Sequence, residues 1–226
     1  MKQDDTKEKI LEEALKLFSM KGYEAVSVGE IAKAVGIKAP SLYNHYPSKQ
    51  AIFEAIVEET AQRYDKFTDK IDIHVGDSGK DIGVFSEIDE AFLFDKVRKI
   101  FVYSLHDETT SRFRRMMTIE QFRSEELSRL YTKRYIERIE KYHEGIFRAL
   151  IKKGEIKEAD PETLSMMYIS PVITLLGVCD REPDREDECI EKLGAHVHLF
   201  FTTFNKKAAK KEGRHVSCRR CDKAIL

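Results

Sequence analysis

The chain has 226 residues, enough to bury one sizeable core, or a small domain joined to a larger one, without disulfide or metal staples. A composition of 42% hydrophobic and 35% charged residues, with only 11 Gly and 5 Pro, excludes a disordered or turn-rich protein and favours long solvated helices. The formal net charge of −1 gives no global basic field, so a nucleic-acid partner would have to be met by local placement of cations.

From Lys7 to Met20, Ile10, Leu11, Ala14, Leu15, Leu17 and Phe18 form one apolar stripe at helical period, and Gly22 ends that helix. In "SVGEIAKAVG", Ser27 can accept the Glu30 amide while Glu30 reaches back, a capping box that starts a second helix of two turns ending at Gly36. A third short helix is predicted over Lys38 to Asn44, with Pro40 in its first turn, where a missing amide costs little. Pro47 closes this segment, and Ser48 caps a fourth helix carrying Ile52, Phe53, Ile56, Val57, Tyr64 and Phe67.

Residues 71–84 hold three glycines and read as a loop. Helices are expected near 86–107, 109–124, 126–153, 161–180 and 186–206, with no repeat and no alternating strand. The last two carry apolar stripes: Leu164, Met167, Tyr168, Pro171, Val172, Leu175 and Leu176, then Ile190, Leu193, Val197, Phe200, Phe201 and Phe204. Such stripes fit either an internal core or a self-complementary dimer face. No apolar run approaches a membrane span, and the opening "MKQDDTKEK" lacks the apolar centre of a signal peptide, so the reading is a soluble, cytoplasmic protein with no membrane partner.

Residues 207–226 read as a basic, mobile tail. Within it, "HVSCRRC" offers His215, Cys218 and Cys221 as three ligands for zinc or as a redox pair, although three ligands do not close a structural site. A metal- or redox-linked regulator or enzyme is therefore the alternative function class. Cys179 and Cys189 fall in helical patterns, where a thiol acts as a small buried hydrophobe.

The second and third predicted helices are separated only by "VGI", with Gly36 at the turn, the size and punctuation of a helix-turn-helix. Lys38 can meet phosphate or guanine, Ser41 can donate to either, and Ala39 permits close approach; Leu42, the one of the set that looks like an obligatory core residue, and Tyr43 complete the reading segment. Tyr43 and His45 carry donors on rigid rings, Lys49 stands at the start of the fourth helix, and Ser27 at the start of the second, all suited to phosphate. Residues 38–49 contain no acid, as a polyanion partner requires. His45 beside Ser41 or Ser48 has no acid to orient its imidazole, and no GxSxG, HExxH or phosphate loop occurs, so no catalytic residue and no cofactor is expected.

The stretch across roughly residues 7–57 resembles the N-terminal DNA-binding domain of TetR-family transcriptional regulators. The resemblance rests on "A-x-x-L-F" and "KGY" (Ala14 to Phe18, Lys21 to Tyr23), "S-V-x-x-I-A-x-x-V-G-I" (Ser27 to Ile37), and "S-L-Y-x-H-Y-x-S-K-x-x-I-F" (Ser41 to Phe53), with Tyr46 in a core role usually held by phenylalanine. It implies an all-α homodimer: a three-helix DNA-binding domain over 1–48, and a larger helical domain over 49–206 that binds a small effector and dimerises through the helices near 161–180 and 186–206. It also implies a palindromic double-stranded DNA operator. Pro40 departs from the small residue many relatives carry, so the operator sequence cannot be carried over.

Two heads of a dimer must meet successive major grooves about 34–36 Å apart. An effector that favours another head separation would then draw the protein off DNA, with the fourth helix as the lever. Phe67, Phe101, Tyr103, Met116, Met117, Phe122, Tyr131, Tyr135 and Tyr168 are candidate pocket residues, a chemistry suited to a bulky, largely apolar effector.

Overall fold

The computed structural model describes residues 3–87 and 89–206. Among them are α1 (Gln3–Lys21), α2 (Val28–Val35), α3 (Ala39–Tyr43), α4 (Lys49–Lys70), α5 (Ser78–Glu87), α6 (Glu90–His106), α7 (Glu108–Glu120), α8 (Glu125–Tyr131), α9 (Arg138–Lys152), α10 (Pro161–Arg181) and α11 (Glu186–Phe204). No strand occurs among the described residues, only an isolated antiparallel bridge between Ile156 and Asn205, so the all-α expectation holds.

The contacts gather the chain into two compact units. Of the described residues, one contains those up to Lys70 together with Tyr103–Ile136, and the other those within Ile71–Val102 and from Glu137 to Lys206. The sequence reading divides the chain after residue 48. The contacts instead group α4, α7 and α8 with the first three helices.

In the first unit, α1 lies against α2, α4 and α7. Ile10, Ala14 and Phe18 of α1 share one core with Ile31, Val35, Leu42, Ile52, Phe53, Phe113 and Met116. A helix as short as α3 would be marginal alone, and its only buried residue, Leu42, docks it onto this core. Burying one such leucine contributes about 1.5–3 kcal/mol. Tyr46 packs against the same core, as its predicted role requires.

In the second unit, α9 packs against α5 and α10, and α10 against α11. The predicted loop at 71–84 is in part a helix, α5, which its glycines disguise. A tertiary network holds it. The fully buried Asp81 accepts from the His74 amide at 2.6 Å, pairs with His74 Nδ1 at 2.6 Å, and accepts from the Tyr142 hydroxyl. The predicted helix at 126–153 is interrupted by a π-helical turn over Thr132–Glu137, an irregularity that side-chain periodicity does not announce.

The two late stripes divide between core and surface. Leu164, Tyr168 and Leu175 of α10 and Leu193, Val197 and Phe200 of α11 are buried within the protomer, so part of each stripe is core. The outward apolar residues are Met167 of the predicted stripe together with Met166 and Ile173 on α10 and Leu199 on α11, the last 66% exposed. Contrary to the sequence reading of membrane spans, α10 is long and apolar enough to cross a membrane by length and composition, with a mean hydropathy of 1.4 over its best window. Its start is capped by Asp160, which accepts the Thr163 amide at 2.8 Å, and its buried face packs on α9 and α11. One face of it is thus packed in the second unit, and its other face is an outward apolar edge.

Candidate DNA-binding site

The geometry of the helix-turn-helix begins at the end of α1. Gly22 takes φ +86° and donates its amide to the Phe18 carbonyl at 2.9 Å, closing the helix in the left-handed conformation that glycine adopts without strain. The predicted capping box forms: Ser27 Oγ accepts the Glu30 amide at 3.2 Å and Glu30 Oε2 accepts the Ser27 amide at 2.9 Å. Lys21 adds an ion pair to Glu30 at 2.8 Å. That bond first, and then the bonds from Ser27, hold the Glu30 carboxyl down at about 2.

Gly36, at φ +83°, ends α2 and donates to the Ala32 carbonyl at 3.0 Å. Ile37 follows with its amide on the same carbonyl at 2.9 Å, a compact turn that delivers the chain directly into α3. Pro40 occupies the first turn of α3, as predicted. Ser48 then accepts the Ala51 amide at 3.0 Å and starts α4.

The eight residues expected to meet DNA do not all face outward. Lys38 and Tyr43 are exposed, Tyr43 by 52%, and with exposed Pro40 and Asn44 they make the outward surface of the turn and α3. Ala39 and Ser41 are half-buried, Ala39 against the core. Leu42 is a correction. Its side chain is 0% exposed and belongs to the core, so it cannot reach a base.

Ser27 is exposed, but its hydroxyl both accepts the Glu30 amide and donates to Glu30 Oε2 at 3.0 Å, so the cap engages it. The Lys49 ammonium, read from sequence as a phosphate anchor, instead donates to the Tyr23 carbonyl at 2.9 Å and lies 4.2 Å from the centre of the Tyr23 ring. His45 is half-buried, and its Nδ1 is buried with no hydrogen-bond partner. Asn44 stands outside the eight residues expected from sequence; its position one helical turn beyond Pro40 is the signal that marks it, since the two share a face at i, i+4.

The nine candidate pocket residues do not converge. Met116 and Met117 are buried in the core that supports α1 to α4, and Tyr131 and Tyr135 pack against that core. Phe67 stacks on Tyr103 with ring centres 3.9 Å apart in the same unit, and Phe101 is fully buried. Phe122 is a second correction: it sits on the turn after α7, 92% exposed, with its ring facing solvent. Tyr168 borders an apolar cavity of about 50 Å³ in the second unit, lined also by Phe85, Leu93, Phe147, Phe200 and Phe204. Sequence spacing could not assemble that lining, because it comes from α5, α6, α9, α10 and α11. His215, Cys218 and Cys221 lie outside the described residues.

A two-helix turn fixed by a capping box and a left-handed glycine, presenting an acid-free face beside a helix N-terminus, defines a helix-turn-helix DNA-binding protein with an appended helical unit. Residues 10–56 match the family model for bacterial regulatory proteins of the tetR family. Over 131 residues the chain is 31% identical to IcaR, the biofilm operon icaADBC HTH-type negative transcriptional regulator of Staphylococcus aureus, covering 55% of this chain and 69% of the relative. Two solved structures share the fold: a TetR-family regulator from Mesorhizobium loti (TM-score 0.67, 20% identity, 91% of this chain and 99% of that one) and a SmeT–triclosan complex (0.64, 18%, 89% and 92%). The chain belongs to the TetR family of bacterial regulatory proteins and is a DNA-binding transcriptional regulator.

Proposed function

We propose that this protein is a repressor that binds a palindromic operator as a homodimer and leaves it when a small effector binds the second unit. The observation that carries the DNA reading is the outward face of Lys38, Pro40, Tyr43 and Asn44 on a rigidly capped turn. Lys38 and Tyr43 have donors for phosphate or guanine, and Asn44 has the paired donor and acceptor that match adenine in the major groove. Negative regulation is supported by likeness to IcaR, named a negative regulator.

Dimerisation is assigned to α10 and α11, where Met166, Met167, Ile173 and Leu199 give an apolar surface suited to a second copy. The effector is assigned to the apolar cavity beside Tyr168, and the triclosan in the SmeT complex is an apolar aromatic molecule of the kind expected. At about 50 Å³ the cavity is smaller than the roughly 150 Å³ that accepts benzene, so a bulky effector must part Phe147, Tyr168 and Phe200 as it enters. Ligand entry therefore repacks α9 against α10 and α11. The protein acts in the cytoplasm, where its operator lies.

Selection of bound fragments from genomic DNA at near-physiological salt tests the reading. Enrichment of one palindromic sequence is expected, with Tyr43→Ala weakening its binding by roughly tenfold. Recovery of fragments with no shared sequence would sink the proposed function.

A further inference from the structure

Tyr23 gathers contacts on every polar atom it has. Glu120, at the end of α7 and 0% exposed, accepts the Tyr23 amide through Oε1 at 2.9 Å. Lys49 donates to the Tyr23 carbonyl, and the Tyr23 hydroxyl donates to Gln50 Oε1, each at 2.9 Å. The ring sits between Phe18 and Phe53, with centres 5.2 and 5.3 Å away. The backbone on both sides of the Tyr23 Cα is thus bracketed, its amide held by a carboxylate from α7 and its carbonyl by an ammonium from the first residue of α4.

The bracket is costly. Glu120 Oε2 is buried with no hydrogen-bond partner, and its nearest cation, Arg123, stands 3.7 Å from Oε1 and is largely exposed. A buried carboxylate with one idle oxygen is a poor device for stability, since an apolar side chain there would avoid the desolvation penalty. What it does provide is a directional link between α7 and the loop that precedes α2. The Lys49 ammonium extends that link to the start of α4, immediately after the α3–α4 turn.

We propose that Glu120 is a positioning residue for operator binding: through Tyr23 it fixes Lys49 and Gln50, and with them the end of α3 and the turn after it, which carry Tyr43 and His45. The inference rests on the DNA-binding reading above. In it Lys49 is a brace, not a phosphate ligand. A displacement of α7 by about an ångström would break the 2.9 Å bond to Tyr23, because hydrogen bonds fail beyond about 3.5 Å.

The test uses the full chain and the operator selected as above, with affinity measured by fluorescence anisotropy across a salt series and folding followed by thermal melting. Glu120→Ala should weaken operator binding about tenfold, while Glu120→Gln, which keeps a carbonyl acceptor for the Tyr23 amide, should stay within about threefold of wild type. Lys49→Met should weaken binding to a similar extent with an unchanged slope of log affinity against log salt. Loss of a phosphate contact would instead reduce that slope by about one, and such a result overturns the brace. Wild-type affinity in Glu120→Ala, or equal losses in Glu120→Ala and Glu120→Gln, also overturns the proposal. Where Glu120→Ala does not fold, the Lys49→Met slope decides. If the wild-type chain selects no DNA, the DNA reading fails first and takes the proposal with it.

Discussion

Gly22 and Gly36 provide a matched pair for measuring how tightly α7 closes on the DNA-binding head. Both are left-handed, at φ +86° and +83°, so alanine at either site meets the same backbone strain, about 1–2 kcal/mol. Both also gain the same stabilisation from a stiffer unfolded chain, which cancels in the comparison. Their surroundings differ. A Cβ at Gly36 meets nothing within 4 Å, whereas one at Gly22 lies 2.6 Å from Glu120 Oε1 and 2.8 Å from the Arg123 guanidinium. The arginine is exposed and can swing aside, but the glutamate is fully buried and can yield only by releasing the Tyr23 amide. A lost hydrogen bond to a charged group adds about 1.5–3 kcal/mol. Urea denaturation followed by far-ultraviolet circular dichroism should therefore show Gly22→Ala less stable than Gly36→Ala by about 2 kcal/mol. Equal destabilisation of the two would refute the claim that Glu120 is held rigidly against the loop.

Further outcomes follow from other parts of the molecule. Ser27→Ala should destabilise the protein by about 1 kcal/mol, and Ser27→Asp should recover most of that loss, because an aspartate is an equally good cap; this is read in the same denaturation assay. His143 donates Nδ1–H to the Ile139 carbonyl at 2.9 Å among Tyr142, Phe147 and Tyr168, and burial pushes its imidazole from 6.5 down to about 4. The unfolded chain therefore takes up this proton first, so stability should fall as pH drops from 6.5 toward 4, and His143→Phe should flatten that limb in melting curves taken across the range. Leu199→Glu, at an exposed apolar position on α11, should shift the protein from dimer to monomer in sedimentation analysis without lowering its melting point as a core substitution would. A dimer of unchanged stability would place the interface elsewhere.

The sequence by itself determined the head. Its helices are short and its signals local: a capping box spans Ser27 to Glu30, a glycine ends each of the first two helices, and a proline opens α3. Such signals act over a few residues, so they are legible without knowing what packs against them. The glycine-masked α5 and the π-helical turn were not legible, because a buried carboxylate contacting residues up to 61 positions away stabilises the one, and no side-chain pattern marks the other.

The direction of each side chain was decided by tertiary structure. Leu42 and Tyr43 are neighbours in the reading segment, yet packing into the core shared by α1, α2 and α4 buries the first and leaves the second in solvent. Lys49 reads as a free cation until Tyr23 is brought beneath it from 26 residues away. Phe122 and Tyr168 are aromatic residues of equal standing in the sequence, but one is on an exposed turn and the other lines a cavity assembled from five helices. Local hydrogen bonding fixes where a helix starts and stops. Which of its faces is buried depends on neighbours distant in the chain, and those neighbours meet only in the folded protein.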